Sequence, residues 1–393
     1  MRRVLGFLLA LTLLGVSACS SPVSAQTSGN GLLGNGWEPT RSLQLDYATN
    51  YSVEFFLDGG VACPLETDCT DDEYAYISIS DGSRYLVTPD GMKAPEGIDP
   101  NIVVLERPLR NVYLAASATM SLVVALDALS HVRFSALQAD GWQVPAAREA
   151  MENGQILFGG RYSAPDYEVI LKESPSVAIE NGMIYHSPEV KQKLETVGIP
   201  VLVEQSSYES HPLGRTEWIK LFGVLFGRES LAVELFDAQS AHLDALAGAE
   251  NTGKTVAFFY ISSAGNVVTR KSGDYVPKMI QLAGGKYVFD HLGDDKATSS
   301  VNLEMEQFYA TAKDADFIIY NSTIGGNLTS LDHFLTMNPI LKDFKAVQEG
   351  NVWCTDQDFY QDMTGLGQMI SDMHEMLTDP TGTDQLTYLY RLT

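Results

Sequence analysis

Short apolar runs of strand length alternate with amphipathic stretches along most of the chain beyond residue 108. The run "NVYLAA" predicts a buried strand, and "SATMSLVVALDAL" after it carries apolar residues at helical spacing. The stretch "SPEVKQKLETVGIPVLVE" repeats this order as a helix, a stop at Gly198 and a strand. Strands that alternate with helices in this way predict an α/β fold with parallel sheets.

The same order returns in the second half of the chain. "KTVAFFYI" predicts a strand, "YVPKMIQLAGG" a helix with a glycine stop, and "LEMEQFYATAKDADFIIY" a helix followed by a strand. This weak internal duplication predicts two α/β lobes, at residues 109–227 and 250–393. Residues 228–249 lie between them and carry apolar residues at roughly helical spacing without a proline. We therefore expect one long helix to join lobe one to lobe two.

Residues 41–108 follow a different pattern, which is typical of β-strands. "YSVEFFL", "YAYISI" and "RYLVTP" are rich in β-branched and aromatic residues, and turn-forming residues such as Asp81-Gly82 separate them. We expect a β-rich extension of lobe one, whose role the sequence leaves open.

The amino terminus has the pattern of an export signal. Arg2 and Arg3 precede a short apolar run that ends in Val16-Ser17-Ala18-Cys19. This ending resembles the lipobox of bacterial lipoproteins, which implies removal of residues 1–18 and a lipid on Cys19. Residues 19–40 would then form a flexible tether between the membrane and the folded part. An ordinary signal peptide cleaved at Ala25 is the alternative.

Composition narrows the function further. The 393 residues carry a formal net charge of −24, which argues against a nucleic-acid partner because phosphates would be repelled. Cys63 and Cys69 are close enough in sequence to close a small disulfide loop, whereas Cys354 in an apolar run is expected to be a buried thiol. The sequence contains no CxxC or HExxH pattern, so neither a structural zinc site nor a zincin-type hydrolase is predicted.

From residue 109 onward the chain resembles the substrate-binding lipoproteins of ABC importers for iron–siderophore, haem and cobalamin. The resemblance rests on the order and spacing of "LAASATMSL", "EVILKESPSVAI", "LETVGIPV" and "YVPKMIQLAGGKYVF". It implies two Rossmann-like lobes joined by one helix, a ligand cleft between them, no enzymatic activity and no cofactor. It also implies a monomer that is anchored outside the cytoplasmic membrane and delivers a ferric siderophore to a permease and its ATPase.

The resemblance extends to two glutamates that dock on permease arginines in this family. The matching positions are Glu168 in lobe one and Glu306 in lobe two, with Glu304 as a neighbouring alternative. Exposed carboxylates on both lobes can pair with guanidinium groups, although each can also be an ordinary solvated glutamate.

Ligands of open parallel α/β sheets bind beyond the carboxyl ends of the strands. This rule selects loops in both lobes, and those in lobe two include "SSAGNVVTRKSGDY" after "KTVAFFYI" and "NSTIGGN". These loops mix aromatic side chains with a few cations, which suits a bulky ligand with anionic oxygens. Packing for Trp142 and a turn-fixing role for His211 are alternatives. For Arg215 the alternative is a capping or pairing role, for example with Glu217 or the carboxyl end of a neighbouring strand. The candidate ligand-binding residues are Ser117, Trp142, Arg161, Tyr162, Tyr208, His211, Arg215, Arg270, Tyr275, Asn321 and Phe359.

The loop "SSYESHPLGR" also raises an enzymatic alternative, because it places Tyr208, Glu209, His211 and Arg215 within ten residues. An anchored hydrolase would need a nucleophile and an oriented base, and the sequence contains no GxSxG elbow. A haem or cobalamin carrier is the closer alternative to a siderophore carrier. A structural surface protein would leave the two-lobe duplication unexplained.

Overall fold

The computed structural model describes residues 33, 37–57, 73–294, 299–379, 382 and 384–393. The predicted signal peptide, the lipidation site Cys19 and the predicted Cys63–Cys69 pair lie outside these residues. Cys354 is a free, fully buried thiol, as expected.

The β-rich extension forms a five-stranded sheet, called here the N-terminal sheet. Its neighbouring strands pair antiparallel except the last two, which are parallel. Inward-facing residues such as Val53, Ile77 and Tyr85 join the core of lobe one, so the sheet is part of that lobe's packing. The strands are β1 (Arg41–Ser42), β2 (Tyr51–Phe56), β3 (Tyr74–Ile79), β4 (Arg84–Thr88) and β5 (Val103–Glu106).

Lobe one contains a parallel five-stranded sheet in the order β12-β11-β6-β7-β8. Its strands are β6 (Val112–Leu114), β7 (Val132–Ser135), β8 (Leu157–Phe158), β11 (Ala178–Asn181) and β12 (Val201–Glu204), and a small hairpin pairs β9 (Gly160–Arg161) with β10 (Ala164–Pro165). Its helices are α1 (Thr119–Ala125), α2 (Pro145–Glu152), α3 (Tyr167–Lys172), α4 (Pro188–Thr196) and α5 (Pro212–Phe226).

The two faces of this sheet belong to different cores. Ile179 and Leu114 pack with Trp218 of α5 and with the N-terminal sheet. Tyr113 and Ala178 pack on the other side, together with side chains of α3 and α4. The sheet is therefore buried on both faces, as expected of parallel strands.

Lobe two contains a seven-stranded sheet with a parallel centre and antiparallel edges. The strands are β13 (Thr255–Ile261), β14 (Val267–Arg270), β15 (Lys286–Tyr287), β16 (Ser300–Leu303), β17 (Phe317–Tyr320), β18 (Val352–Thr355) and β19 (Leu389–Arg391). The helices are α7 (Tyr275–Leu282), α8 (Met305–Ala312), α9 (Ser322–Gly325), α10 (Leu331–Met337), α11 (Lys345–Gln348) and α12 (Leu366–Thr378).

One expectation for lobe two is corrected. The segment after "KTVAFFYI" was expected to be a loop, but Val267–Arg270 forms β14 and pairs antiparallel with β13. A tight turn with Gly265 at a φ of +84° reverses the chain, and the β-branched residues that follow extend the sheet. Arg270 therefore lies at the end of a strand.

The predicted connecting helix is α6, Glu229–Ala245. It contacts α5 of lobe one and α12 of lobe two. Phe236 of α6 is fully buried in the core of lobe one, and Leu243 packs against the cores of both lobes. The exact lobe boundaries stay predictions.

Candidate ligand-binding site

The carboxyl ends of the strands of lobe one surround a pocket of about 600 Å³, called here the lobe-one pocket. Three of the predicted residues, Ser117, Arg161 and Tyr162, line it together. Its other lining residues are Ala115, Ala136, Leu137, Gln138, Asp140, Gly141, Phe158 and Asn181. The position agrees with the rule for open α/β sheets, and the volume lies within the range of small-molecule sites.

The pocket combines one cation, Arg161, and one carboxylate, Asp140, with an aromatic surface. Arg161 is exposed in the hairpin of β9 and β10, whose turn needs Gly160 because a Cβ atom there would lie 2.6 Å from the Ala164 carbonyl oxygen. Phe158, which the sequence did not indicate, is 38% exposed and lines the same pocket. A guanidinium beside an exposed phenyl ring can hold a ligand that has both an anionic group and an apolar surface.

Trp142 is corrected from a ligand contact to a core residue. Its side chain has no exposed surface, and its indole Nε1 donates a hydrogen bond to Ser135 Oγ at 3.1 Å. The Arg148 guanidinium donates to the Trp142 carbonyl oxygen. The indole therefore packs behind the pocket and does not line it.

Tyr208 does not line the lobe-one pocket but lies beside it, next to the lining residue Asn181. It is 51% exposed in the loop after β12. Its ring lies against Gly182 in the loop after β11, where a Cβ atom would be 2.6 Å from the tyrosine hydroxyl oxygen. Tyr208 thus covers the gap between two loops at the carboxyl edge of the sheet.

His211 has the turn-fixing role that was weighed against ligand contact, and it also lines a pocket of about 420 Å³ together with Lys278 and Gln281 of lobe two. Its Nδ1 accepts a hydrogen bond from the Leu213 amide at 3.2 Å, so it caps the amino end of α5. The His211 ring stacks on the ring of Tyr47, between β1 and β2, with 4.4 Å between the ring centroids. Burial, with a smaller contribution from Lys278, lowers the pKa of His211 to about 4, so the ring is neutral at pH 7.

Arg215 contacts lobe two and does not pair with Glu217 as the alternative suggested. Its guanidinium lies over the Tyr275 ring at 4.0 Å, a cation–π contact that joins α5 to α7. Tyr275 itself is only 3% exposed. Arg270 forms an ion pair with Asp274 at 2.7 Å, and its Nε is buried without a hydrogen-bond partner among the described residues.

The lobe-two candidates Asn321 and Phe359 are almost fully buried. The Asn321 side-chain amide donates to the Tyr360 hydroxyl oxygen at 2.8 Å, while its side-chain Oδ1 has no partner within the part of the chain that the structure describes. Phe359 packs against Phe258 and is 1% exposed, so it is corrected to a core residue. Burial of their side chains leaves neither residue accessible to a ligand in this conformation.

A second pocket, of about 670 Å³, lies at the carboxyl ends of β13 and β17 in lobe two. None of the predicted residues lines it. Ile324, which is 52% exposed, forms part of its wall together with Tyr260, Ser262, Gly326 and Met337. The loop "NSTIGGN" was selected from the sequence, but the exposed residue in it is Ile324 and not Asn321.

Lobe two reaches across to the lobe-one pocket through the loop after β18. The Gln361 side chain accepts a hydrogen bond from the Gln143 amide and donates one to the Gly141 carbonyl oxygen, both at 2.8 Å. Met363 is buried in the core of lobe one, and its backbone bonds with Ser121 and Thr216. Because Gly141 lines the pocket, the hydrogen bond from Gln361 attaches lobe two to one wall of the pocket.

The two predicted docking glutamates hold equivalent places. Glu168 is the second residue of α3 and Glu306 the second residue of α8, and both are exposed. Helices α3 and α8 precede β11 and β17, which are central strands of their sheets. Glu304 is the residue that precedes α8, so Glu306 is the closer structural match to Glu168.

The described residues offer neither a cluster of metal ligands nor a membrane-spanning helix. They contain no group of three or more His, Cys, Asp or Glu side chains arranged to hold a metal ion. None of the helices described is both long and apolar enough to cross a membrane.

Comparison with known proteins decides the family. The sequence profile described as periplasmic binding protein matches residues 133–359, which is more than half of the chain. The chain belongs to the periplasmic binding protein family. This family consists of solute-binding proteins rather than enzymes.

Individual relatives agree with this assignment. An uncharacterized lipoprotein of Methanocaldococcus jannaschii is 27% identical over 331 residues, covering 81% of this chain and 77% of the relative. A periplasmic haem-binding protein from Pseudomonas aeruginosa has a TM-score of 0.56 at 16% identity and covers 72% of this chain and 98% of its own. The molybdate-binding protein MolA of Haemophilus influenzae has a TM-score of 0.55 at 16% identity, covering 68% and 86%. At these identities the structures share the fold with this periplasmic binding protein.

Proposed function

We propose that this periplasmic binding protein is the substrate-binding lipoprotein of an ABC importer and carries a metal chelate, with a ferric siderophore as the first candidate. The observation that carries this proposal is the lobe-one pocket, in which Arg161, Tyr162 and Ser117 meet at the carboxyl ends of parallel strands. The bridge from Gln361 to Gly141 supports a ligand position between the lobes.

The lining of the pocket favours a ligand with oxygen anions and a sizeable apolar surface. Arg161 supplies a charge for carboxylate or other anionic oxygens, which matters in a chain with a net charge of −24. Phe158 and Tyr162 supply aromatic surface. Haem also has carboxylates on a flat apolar body, so a haem carrier is the second candidate, supported by the similar fold of the haem-binding protein of P. aeruginosa.

Location and partner follow from the same proposal. A lipid on Cys19 would anchor the protein outside the cytoplasmic membrane, and the relative from M. jannaschii is also a lipoprotein. The permease would contact Glu168 and Glu306, which are exposed at equivalent places of the two lobes.

Binding of defined ligands tests the proposal. Haemin, a ferric trihydroxamate and a corrinoid are titrated into the purified protein, with tryptophan fluorescence and the melting temperature as readouts. We expect one of them to bind, and Arg161→Met to weaken its binding about tenfold through loss of the charged contact. Arg110→Met is the matched control, because Arg110 is exposed just before β6 at the opposite edge of the sheet. Absence of binding by all three ligands would contradict the proposal.

A further inference from the structure

The segment between β1 and β2 of the N-terminal sheet is attached to lobe one through buried carboxylates that accept hydrogen bonds from its backbone amides. Glu217 of α5 is fully buried and accepts hydrogen bonds from the amides of Asp46, Tyr47 and Ala48 at 2.7–2.8 Å. Lys220 pairs with the same carboxylate at 2.8 Å. Three backbone donors and one cation compensate for the burial of this charge.

Glu209 makes a second attachment of the same kind, but from the loop that carries Tyr208. Its carboxylate is 2% exposed and accepts hydrogen bonds from the amides of Thr49 and Asn50 at 2.9–3.0 Å. The Thr49 hydroxyl and the Trp218 indole also donate to it. The loop after β12 is therefore bonded to the segment between β1 and β2.

The side chains of this loop divide between two surroundings. Glu209 and His211 face the N-terminal sheet segment, where His211 stacks on Tyr47. Tyr208, between Ser207 and Glu209, is 51% exposed and lies against Gly182. Anchoring Glu209 therefore also restricts where the neighbouring Tyr208 ring can lie.

The N-terminal sheet also holds the neighbouring loop at the carboxyl edge. The Tyr185 hydroxyl donates a hydrogen bond to Asp81, in the turn between β3 and β4, and accepts one from Gln205, both at 2.7 Å. Tyr185 follows β11 and Gln205 follows β12. The N-terminal sheet thus contacts the loop after β12, which carries Tyr208, and the loop after β11, against which the Tyr208 ring lies.

We propose that the N-terminal sheet supports ligand binding. Glu209 is the positioning residue, which fixes the loop after β12, with Tyr208, to the segment between β1 and β2. This inference rests on the proposed function and adds Tyr208 to its ligand surface, because the Tyr208 ring lies against Gly182, next to Asn181 of the lobe-one pocket. A contact residue binds well only when the surrounding residues hold it in place, and here residues 46–50 and Asp81 provide that support. The β-rich extension would then determine affinity without contacting the ligand.

The test is a double-mutant cycle measured with the ligand found among haemin, ferric trihydroxamate and corrinoid. We expect Glu209→Gln to weaken binding about tenfold, mainly through faster dissociation, and to lose most of this effect in a Tyr208→Ala background. Asp81→Ala, a surface change at the Tyr185 contact, should weaken binding in the same direction without unfolding the protein. Asp99→Asn is the control, because it weakens an exposed ion pair with Arg84 at the start of β4, while Asp81 and its bond to Tyr185 are left in place.

A ligand-independent measurement separates failure of this inference from failure of the proposed function. We expect hydrogen exchange of the amides in 182–186 and 206–211 to accelerate about tenfold in Glu209→Gln and to stay unchanged in Asp99→Asn. Equal protection in wild type and Glu209→Gln would overturn the inference even if no ligand binds. An affinity loss of the same size with and without Tyr208 would overturn it as well.

Discussion

Both carboxyl oxygens of Glu180 are buried in β11 without a hydrogen-bond partner among the described residues. Glu180 follows Ile179 and precedes Asn181, which lines the lobe-one pocket. Burial raises the pKa of Glu180 to about 8, because no nearby group compensates for the charge. An unsatisfied buried acid beside a ligand pocket opposes folding whenever it is ionised.

The sign of the resulting pH dependence follows from the raised pKa. Between pH 4.5 and pH 8 the folded state holds a proton on Glu180 that the unfolded state has lost, so stability falls as the pH rises. We therefore expect Glu180→Gln to be more favourable at pH 8 than at pH 5 by about 3 kcal/mol in the free energy of unfolding. Urea denaturation of wild type and Glu180→Gln at pH 5 and pH 8 measures this difference in the free energy of unfolding.

The exposed Glu189 on α4 provides the matched control. Glu189→Gln should change the free energy of unfolding by a few tenths of a kcal/mol or less at either pH, since surface substitutions usually have small effects. A Glu180→Gln effect that is the same at pH 5 and pH 8 would contradict the assigned burial of the charge.

At the level of elements, the strands and helices that a local apolar pattern determines could be predicted from the sequence. The strands β6, β12, β13 and β17 and the helices between them appear where apolar periodicity placed them. The connecting helix also forms, because residues 228–248 contain nothing that breaks a helix before Gly248. Strand β14 was missed, since a strand of four residues has little periodicity to detect.

The site was predicted less completely, because side-chain partners distant in sequence decide it. His211 caps α5 and stacks on Tyr47, which lies more than 160 positions earlier in the chain. Trp142 stands among polar residues in the sequence but is buried with Ser135. Loop position identified Ser117, Arg161 and Tyr162, whereas burial could not be read from the loop sequences.

The contact between α6 and α12 depends on a glycine, and this makes a prediction at the level of elements. A Cβ atom at Gly367 would lie 2.1 Å from the backbone oxygen of Gln239, so the two helices would have to separate. We expect Gly367→Ala to lower the free energy of unfolding by about 1–3 kcal/mol, despite the better helix propensity of alanine. The melting temperature measures the change.

Thr378→Ala on the same helix is the control for this experiment. Thr378 is exposed and bonds only to the carbonyl oxygen of His374, one turn earlier. Its replacement should leave the melting temperature nearly unchanged. If Gly367→Ala behaves like Thr378→Ala, the close approach of α6 to α12 is not needed for the fold.

At the level of the whole molecule, several contacts hold the two lobes together. Met363 of lobe two is buried in the core of lobe one, Arg215 lies over Tyr275, and Leu243 of α6 packs on both cores. Such contacts fix the relative position of the exposed carboxylates on α3 and α8. A partner that contacts both lobes can then recognise them as a pair.

The docking proposal predicts a different result for transport than for binding. Glu168→Lys and Glu306→Lys place cations where permease arginines would approach, so like charges would repel across the interface. We expect each variant to reduce uptake of the bound ligand into cells about tenfold or more and the double variant to abolish it. Both glutamates are exposed first-turn residues, so ligand affinity and melting temperature should stay close to the wild-type values.

Glu189→Lys and Glu349→Lys are the controls, because they reverse equally exposed charges on other helices or their ends. Both should leave uptake intact. Normal uptake by the double variant would rule out docking through this pair.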